Sequence, residues 1–173
     1  MAAETQVLVD DLYRPYRPKR RTRATIAKEK GLEPLAVLIS LQNSKEPLEK
    51  EAEKYVSEEK GVKNVQEAID GAKDILAENI SDEADYRKRI RDLTFKKGTL
   101  VSAAKDEKAE SVYEMYYDFT EAVSKVAGHR VLALNRGEKE KFLSVKIEAP
   151  EEEILRYLEK KVIRRIIHTQ HRF

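Results

Sequence analysis

Positive charge is the feature of this sequence best placed to do chemistry. Between Arg14 and Arg23, six of ten residues are basic: Arg14, Arg17, Lys19, Arg20, Arg21 and Arg23. Cations on an extended segment can follow a phosphate backbone, and Tyr13 and Tyr16 among them can stack on bases. A second basic group lies between Arg87 and Lys97 and contributes Arg87 and Arg91 to the candidate nucleic-acid-binding set. Each group has a plainer reading. The first would pair with the glutamates of a helical bundle, and Tyr13 and Tyr16, set among prolines beside Leu12, fit a packing anchor for the arm. The second would be a solvated helix face unless it adjoins the arm.

Other constellations are weaker. Tyr113, Tyr116, Tyr117 and Phe119 resemble a stacking platform, but helical spacing assigns at least Tyr116 and Phe119 to a core. His168 and His171 have the spacing of a ligand pair, with no cysteine in the chain and only distant carboxylates, so no metal site is expected. His129 and Arg130 read as structural, capping a helix or pairing with Glu138 or Glu140. Glu151 and Glu152 suit a helix dipole rather than acid–base work. There is no Gly-rich phosphate loop, no HExxH and no nucleophile elbow. Neither catalysis nor a cofactor is expected.

The elements that would position these residues are mostly helical. Pro15 and Pro18 should hold the basic arm extended. Thr22 is placed to cap a helix over Ala24–Lys30, with Gly31 at its C′ position, and Pro34 opens the next. This layout is helix–turn–helix-like. The second helix, with Leu35, Val37, Leu38, Ile39 and Leu41, is apolar nearly all round and should be buried, which does not suit a groove-reading role. Val7 and Val9 could form a short anchor before the arm.

Pro47 opens a third helix carrying Leu48, Ala52, Tyr55 and Val56. Asn64 and Glu67 form a capping box for a fourth, with apolar positions from Val65 to Ile80. Ser81 or Asp82 should cap a fifth, ended by Gly98. Thr99–Ala104 reads as a strand paired with Phe142–Glu148. Between them, Ser111 and Glu114 suggest a capped helix running toward Val126, broken by Gly128. A short helix from His129 to Asn135 is closed by Gly137. Pro150 opens the last helix, with Ile154, Leu155, Leu158, Val162 and Ile166 as its stripe.

The fold class is therefore mainly α: a helical bundle with a helix–turn–helix-like segment and a minor two-stranded β element. Two parts are expected, the arm and bundle over 1–98 and a small α+β segment over 99–173. A net charge of +2 with 38% charged residues gives no case for polyanion binding without clustering. No apolar run has membrane-spanning length, which with the absence of cysteine makes a cytoplasmic setting the default.

Two stretches also carry a resemblance. Leu12, Tyr13, Pro15, Tyr16, Pro18, Lys19, Arg20, Arg21, Thr22 and Arg23 fit a signature of the Tex family of bacterial transcription accessory proteins. His129, Arg130, Leu132, Ala133, Arg136, Gly137, Glu138, Glu140 and Leu143 fit a second, with Gly128 where the family often has Ser and Lys141 where it often has Gly. The resemblance covers most of the chain. It implies a non-catalytic scaffold in RNA or nucleoprotein transactions, with RNA or DNA backbone and the transcription machinery as partners. It also implies a fragment or truncated relative, since such proteins continue into an RNase H-like domain, helix–hairpin–helix modules and an OB-fold RNA-binding domain. The competing expectation is a purely structural scaffold that positions those domains and self-associates through exposed apolar faces.

Overall fold

The computed structural model describes residues 5–163, so His168, His171 and Ile166 lie outside the described residues. The described chain runs α1 (Gln6–Tyr13), a 310 turn (Arg14–Tyr16), α2 (Arg23–Glu29), α3 (Glu33–Leu41), α4 (Leu48–Glu53), α5 (Val65–Asp82) and α6 (Ala84–Lys97). It continues with β1 (Thr99–Ala104), a 310 turn (Glu114–Tyr116), β2 (Asp118–Ala122), α7 (Gly128–Lys139), β3 (Leu143–Glu148) and α8 (Glu151–Val162). The fold is mainly α with a small antiparallel sheet. The contacts of the described residues divide it into two units, one of residues 5–87 with 160–163, the other Lys88–Glu159.

In the first unit, α5 is the central helix and α2, α3 and α4 pack on it. The core is rich in alanine: Ala24, Ala27, Ala36, Ala52, Ala68 and Ala72 join Leu32, Leu35, Val62, Ile69 and Ile75. Small side chains let helix backbones approach closely, and the larger residues fill what remains. The helix ends follow local sequence. Thr22 Oγ1 accepts from Thr25 N at the start of α2. At its end, Gly31 has φ +78°, Gly31 N donates to Lys28 O and Leu32 N to Ala27 O, a Schellman turn that satisfies the last carbonyls. Asn64 caps α5 through Glu67 N, while the Glu67 carboxylate accepts from Lys63 N, one residue before the position a capping box uses.

Several expectations fail here. The arm is not extended throughout. Thr5 caps α1, and Pro15 sits at the start of a 310 turn that its fixed φ suits, so only the stretch after Tyr16 is extended. Helix α3 is buried on one side only, since Val37 and Leu41 are exposed. Helix α4 stops at Glu53. Tyr55 and Val56 lie beyond it, where Ser57 and Val62 exchange backbone hydrogen bonds. Asp82 ends α5 rather than capping α6, and Glu83 O takes the first bond of α6, from Arg87 N.

The second unit is built on the sheet, in the order β2-β1-β3 with both pairings antiparallel. Ser102 of β1 stands opposite Phe119 of β2 and Val145 of β3. The expected pairing of β1 with β3 is present. The additional strand, β2, replaces most of the helix expected from Ser111 onward. Ser111 Oγ accepts from Tyr113 N rather than Glu114 N, so the turn tightens to 310 and the chain leaves extended. In a strand, Phe119 and Glu121 share a face, and both meet Arg130 of α7. The guanidinium lies 5.8 Å from the Phe119 ring centre and 3.0 Å from Glu121 Oε2. Arg130 thus pairs with Glu121, not with Glu138 or Glu140.

Helix α7 begins at Gly128, expected to break the helix before it, and runs through Gly137, which was expected to close this one. Gly137 is a point of close approach: a Cβ there would lie 2.5 Å from Leu143 Cδ1 and 3.1 Å from Tyr113 Cδ1. The helix ends in a second Schellman turn, Lys141 N to Glu138 O and Phe142 N to Gly137 O, with Lys141 itself at φ +67°. The core of this unit is Leu100, Tyr113, Tyr116, Leu134 and Leu143. Tyr116 and Phe119 meet edge to face with ring centres 5.3 Å apart, as a core pair rather than a stacking platform.

Candidate nucleic-acid interface

The candidate cations fall into distinct environments. Arg14, at the 310 turn, donates through Nε to Asp82 Oδ1 at 2.9 Å. Lys19, on the extended stretch, donates to the other Asp82 oxygen and lies 3.8 Å from Glu78. Burial by itself would raise the Asp82 carboxyl, but the hydrogen bonds and charges of Lys19 and Arg14 outweigh it and hold it below the ordinary carboxylate range. Arg87 of α6 donates to Asp11 of α1 at 2.8 Å and to Ser81 O at 3.2 Å. Asp11 and Asp82 are both buried. Two carboxylates thus hold the N-terminal segment across the end of α5, each gripping cations distant in sequence.

The remaining cations of the arm face outward. Arg21 pairs with Glu29 at 2.8 Å between two exposed side chains, and Arg23 lies 3.5 Å from Asp74 while 86% exposed. Such exposed pairs hold their partners weakly. Arg17 and Arg20 are exposed, with no ion-pair partner among the described residues. All but Arg21 and Arg87 of these seven cations line one open groove of about 620 Å³, whose other wall carries Asp74, Glu78 and Asp82 of α5.

Tyr13 and Tyr16 are 56% and 79% exposed, so their rings do not anchor the arm. That anchoring falls to Asp11 and Asp82, which sequence reasoning missed. Both read as ordinary polar positions, and only their distant partners mark them. The α3 helix of the helix–turn–helix-like segment presents Glu33, Val37, Ser40 and Leu41 outward and carries no basic residue. Arg87 belongs to the first unit and the exposed Arg91 to the second. Among the described residues no group of His, Asp and Glu could hold a metal ion, and no helix is long and apolar enough to cross a membrane.

The family described as Tex central region-like matches residues 42–172, and the chain belongs to that family. It is 55% identical over 159 residues to the uncharacterized protein YdcI of Bacillus subtilis, covering 90% of this chain and 22% of that protein. It is 39% identical to Protein tex of Bordetella pertussis, over 84% of this chain and 18% of the relative. It is 35% identical to the Transcriptional accessory protein Tex of Neisseria gonorrhoeae, over 83% of this chain and 19% of that protein. The chain thus spans about a fifth of the length of these relatives.

Proposed function

We propose that this chain is a non-catalytic scaffold of a Tex-like transcription accessory protein that contributes a contact to the backbone of RNA or DNA through its basic arm. The observation that carries this reading is the pair of exposed guanidiniums, Arg17 and Arg20, which have no ion-pair partner among the described residues and lie near the exposed Tyr16 in sequence. Free cations next to an exposed aromatic supply the two interactions that single-stranded nucleic acid offers everywhere, phosphate charge and base faces. The acids of α5 in the same groove set a limit. Only a few cations are available, so binding by this region is modest and salt-sensitive, and a full-length protein would add to it from elsewhere in its chain. The gonococcal relative is named for transcription, and the same setting is proposed here.

Fluorescence anisotropy with a labelled single-stranded RNA and a labelled DNA duplex tests this. Three phosphate contacts give a slope of about −2 in log affinity against log salt for a single strand, a loss of roughly tenfold to twentyfold between 50 and 200 mM salt. Replacing Arg17, Arg20, Arg21 and Arg23 by Ala should remove most of the affinity. Binding no stronger than that of a neutral polymer would refute the reading and favour a structural scaffold, for which the Asp11 and Asp82 latches are the supporting observation.

A further inference from the structure

The polar side chains of the arm divide into held and free. Lys19 reaches Asp82 and Glu78, and Thr22, three residues on, donates from Oγ1 to Glu78 Oε1 at 3.0 Å. Arg17 has φ −70° and ψ 133°, the polyproline II region, and Pro18 follows it. A polyproline II segment repeats every three residues with a rise of about 3.1 Å each. One row of the arm, Lys19 and Thr22, is therefore laid against α5. Arg17 and Arg20 are likewise three residues apart, a spacing of about 9 Å at that rise. Arg23, exposed at the first turn of α2, lies 3.5 Å from Asp74 of α5 and is not part of the extended stretch.

We infer that Asp82 is a positioning residue for a phosphate-contacting pair made of Arg17 and Arg20. By holding Arg14 and Lys19 against α5, it fixes the segment between them and leaves the Arg17 and Arg20 side chains, exposed along the same groove, for a phosphodiester backbone. This rests on the nucleic-acid reading above and adds that the basic residues are not equivalent. Arg14 and Lys19 fix the arm, and Arg17 and Arg20 make the contact. Asp82 is suited to the task because it is buried at the end of α5 and takes a cation on each oxygen, one from each end of the segment Arg14–Lys19. That segment contains Arg17, and Arg20 directly follows it. Fixing two side chains of a short segment removes the freedom that binding would otherwise have to remove.

The test compares single-stranded RNA binding by the whole chain and three variants across a salt series, with helix content followed by circular dichroism. R17Q/R20Q changes two exposed side chains, leaves the fold intact and should flatten the salt slope by about 1.4. R14Q should weaken binding while leaving the slope within about 0.3 of the parent. D82N separates positioning from simple neutralisation. It frees two cations, so neutralisation alone predicts tighter binding, whereas positioning predicts affinity lowered about threefold to tenfold. Tighter binding by D82N, or a slope change in R14Q equal to half that of R17Q/R20Q, overturns the inference while leaving the nucleic-acid reading standing. If D82N fails to fold, the slopes of R14Q and R17Q/R20Q still decide. A parent chain that binds no RNA or DNA overturns the reading beneath it.

Discussion

The two units treat buried polarity in opposite ways. In the first, Asp11 and Asp82 are taken out of water and each is matched to cations from a distant element. In the second, the buried polar residue is Ser102, at the centre of the sheet, whose Oγ has no hydrogen-bond partner among the described residues. Of its charged pairs, Lys97 with Glu153 and Lys146 with Glu148 lie on the surface, and Arg130 with Glu121 is half-buried. The first unit uses charge to tie segments together, and the second relies on aromatic and aliphatic packing against a sheet. The lesson is that net composition does not locate functional charge. The same chemistry is structural at Arg14 and available at Arg17, three residues later.

The contrast can be broken by substitution, and the largest effects should fall in the second unit. Leu143 is fully buried, so Leu143→Ala should cost about 2–5 kcal/mol in chemical denaturation, with amide exchange quickening first along β1 and β3. Gly137→Ala should cost about 1–3 kcal/mol, because the added methyl would press on Leu143 and Tyr113 from a packed helix face.

In the first unit, Asp82→Asn should cost about 1–2 kcal/mol, less than a fully buried pair would, since Arg14 and Lys19 can turn to solvent. Its pH signature sharpens the comparison. The folded-state pKa of Asp82 lies below that of the unfolded chain, so its stabilisation is fully present above about pH 4 and fades as pH falls through the folded value. A melting-temperature series should show a shallower acid limb in Asp82→Asn than in the parent.

The smallest effects should carry a positive sign. Ser102→Ala removes a buried hydroxyl without a partner and should be neutral or stabilising by up to about 1 kcal/mol. Lys141→Gly relieves a left-handed residue at a Schellman turn and should stabilise by about 1 kcal/mol, whereas Gly31→Ala at the equivalent turn should destabilise by a similar amount. Equal responses at the two turns would mean that the backbone conformation is not what those positions select.

Much of the first unit was legible residue by residue. Thr22, Gly31, Pro34 and Asn64 act over three or four positions, so their caps and turns can be read locally. The Lys141 position is instructive in another way: the resembled family signature has Gly where this chain has Lys141, and the φ of +67° there disfavours a side chain. Strand β2 was not legible, because Ser111, Glu114, Tyr116 and Phe119 also satisfy a helical pattern. Its two neighbouring contacts, the register with β1 and the grip of Arg130 on Phe119 and Glu121, come from elsewhere in the chain. Gly137 misled for the same reason, since a glycine that ends a helix and one that admits a neighbouring leucine look alike in sequence.

The sequence by itself determined the helical class, most helix ends, the pairing of β1 with β3 and the family, because these rest on short-range periodicity and on contiguous motifs. Only the tertiary structure decided which cations of the arm are held and which are offered. That depends on Asp82, 68 residues from Arg14 and 63 from Lys19, and on the burial that makes a carboxylate there demand partners. Charge patterns are set by sequence, but the availability of a charge is set by what folds against it.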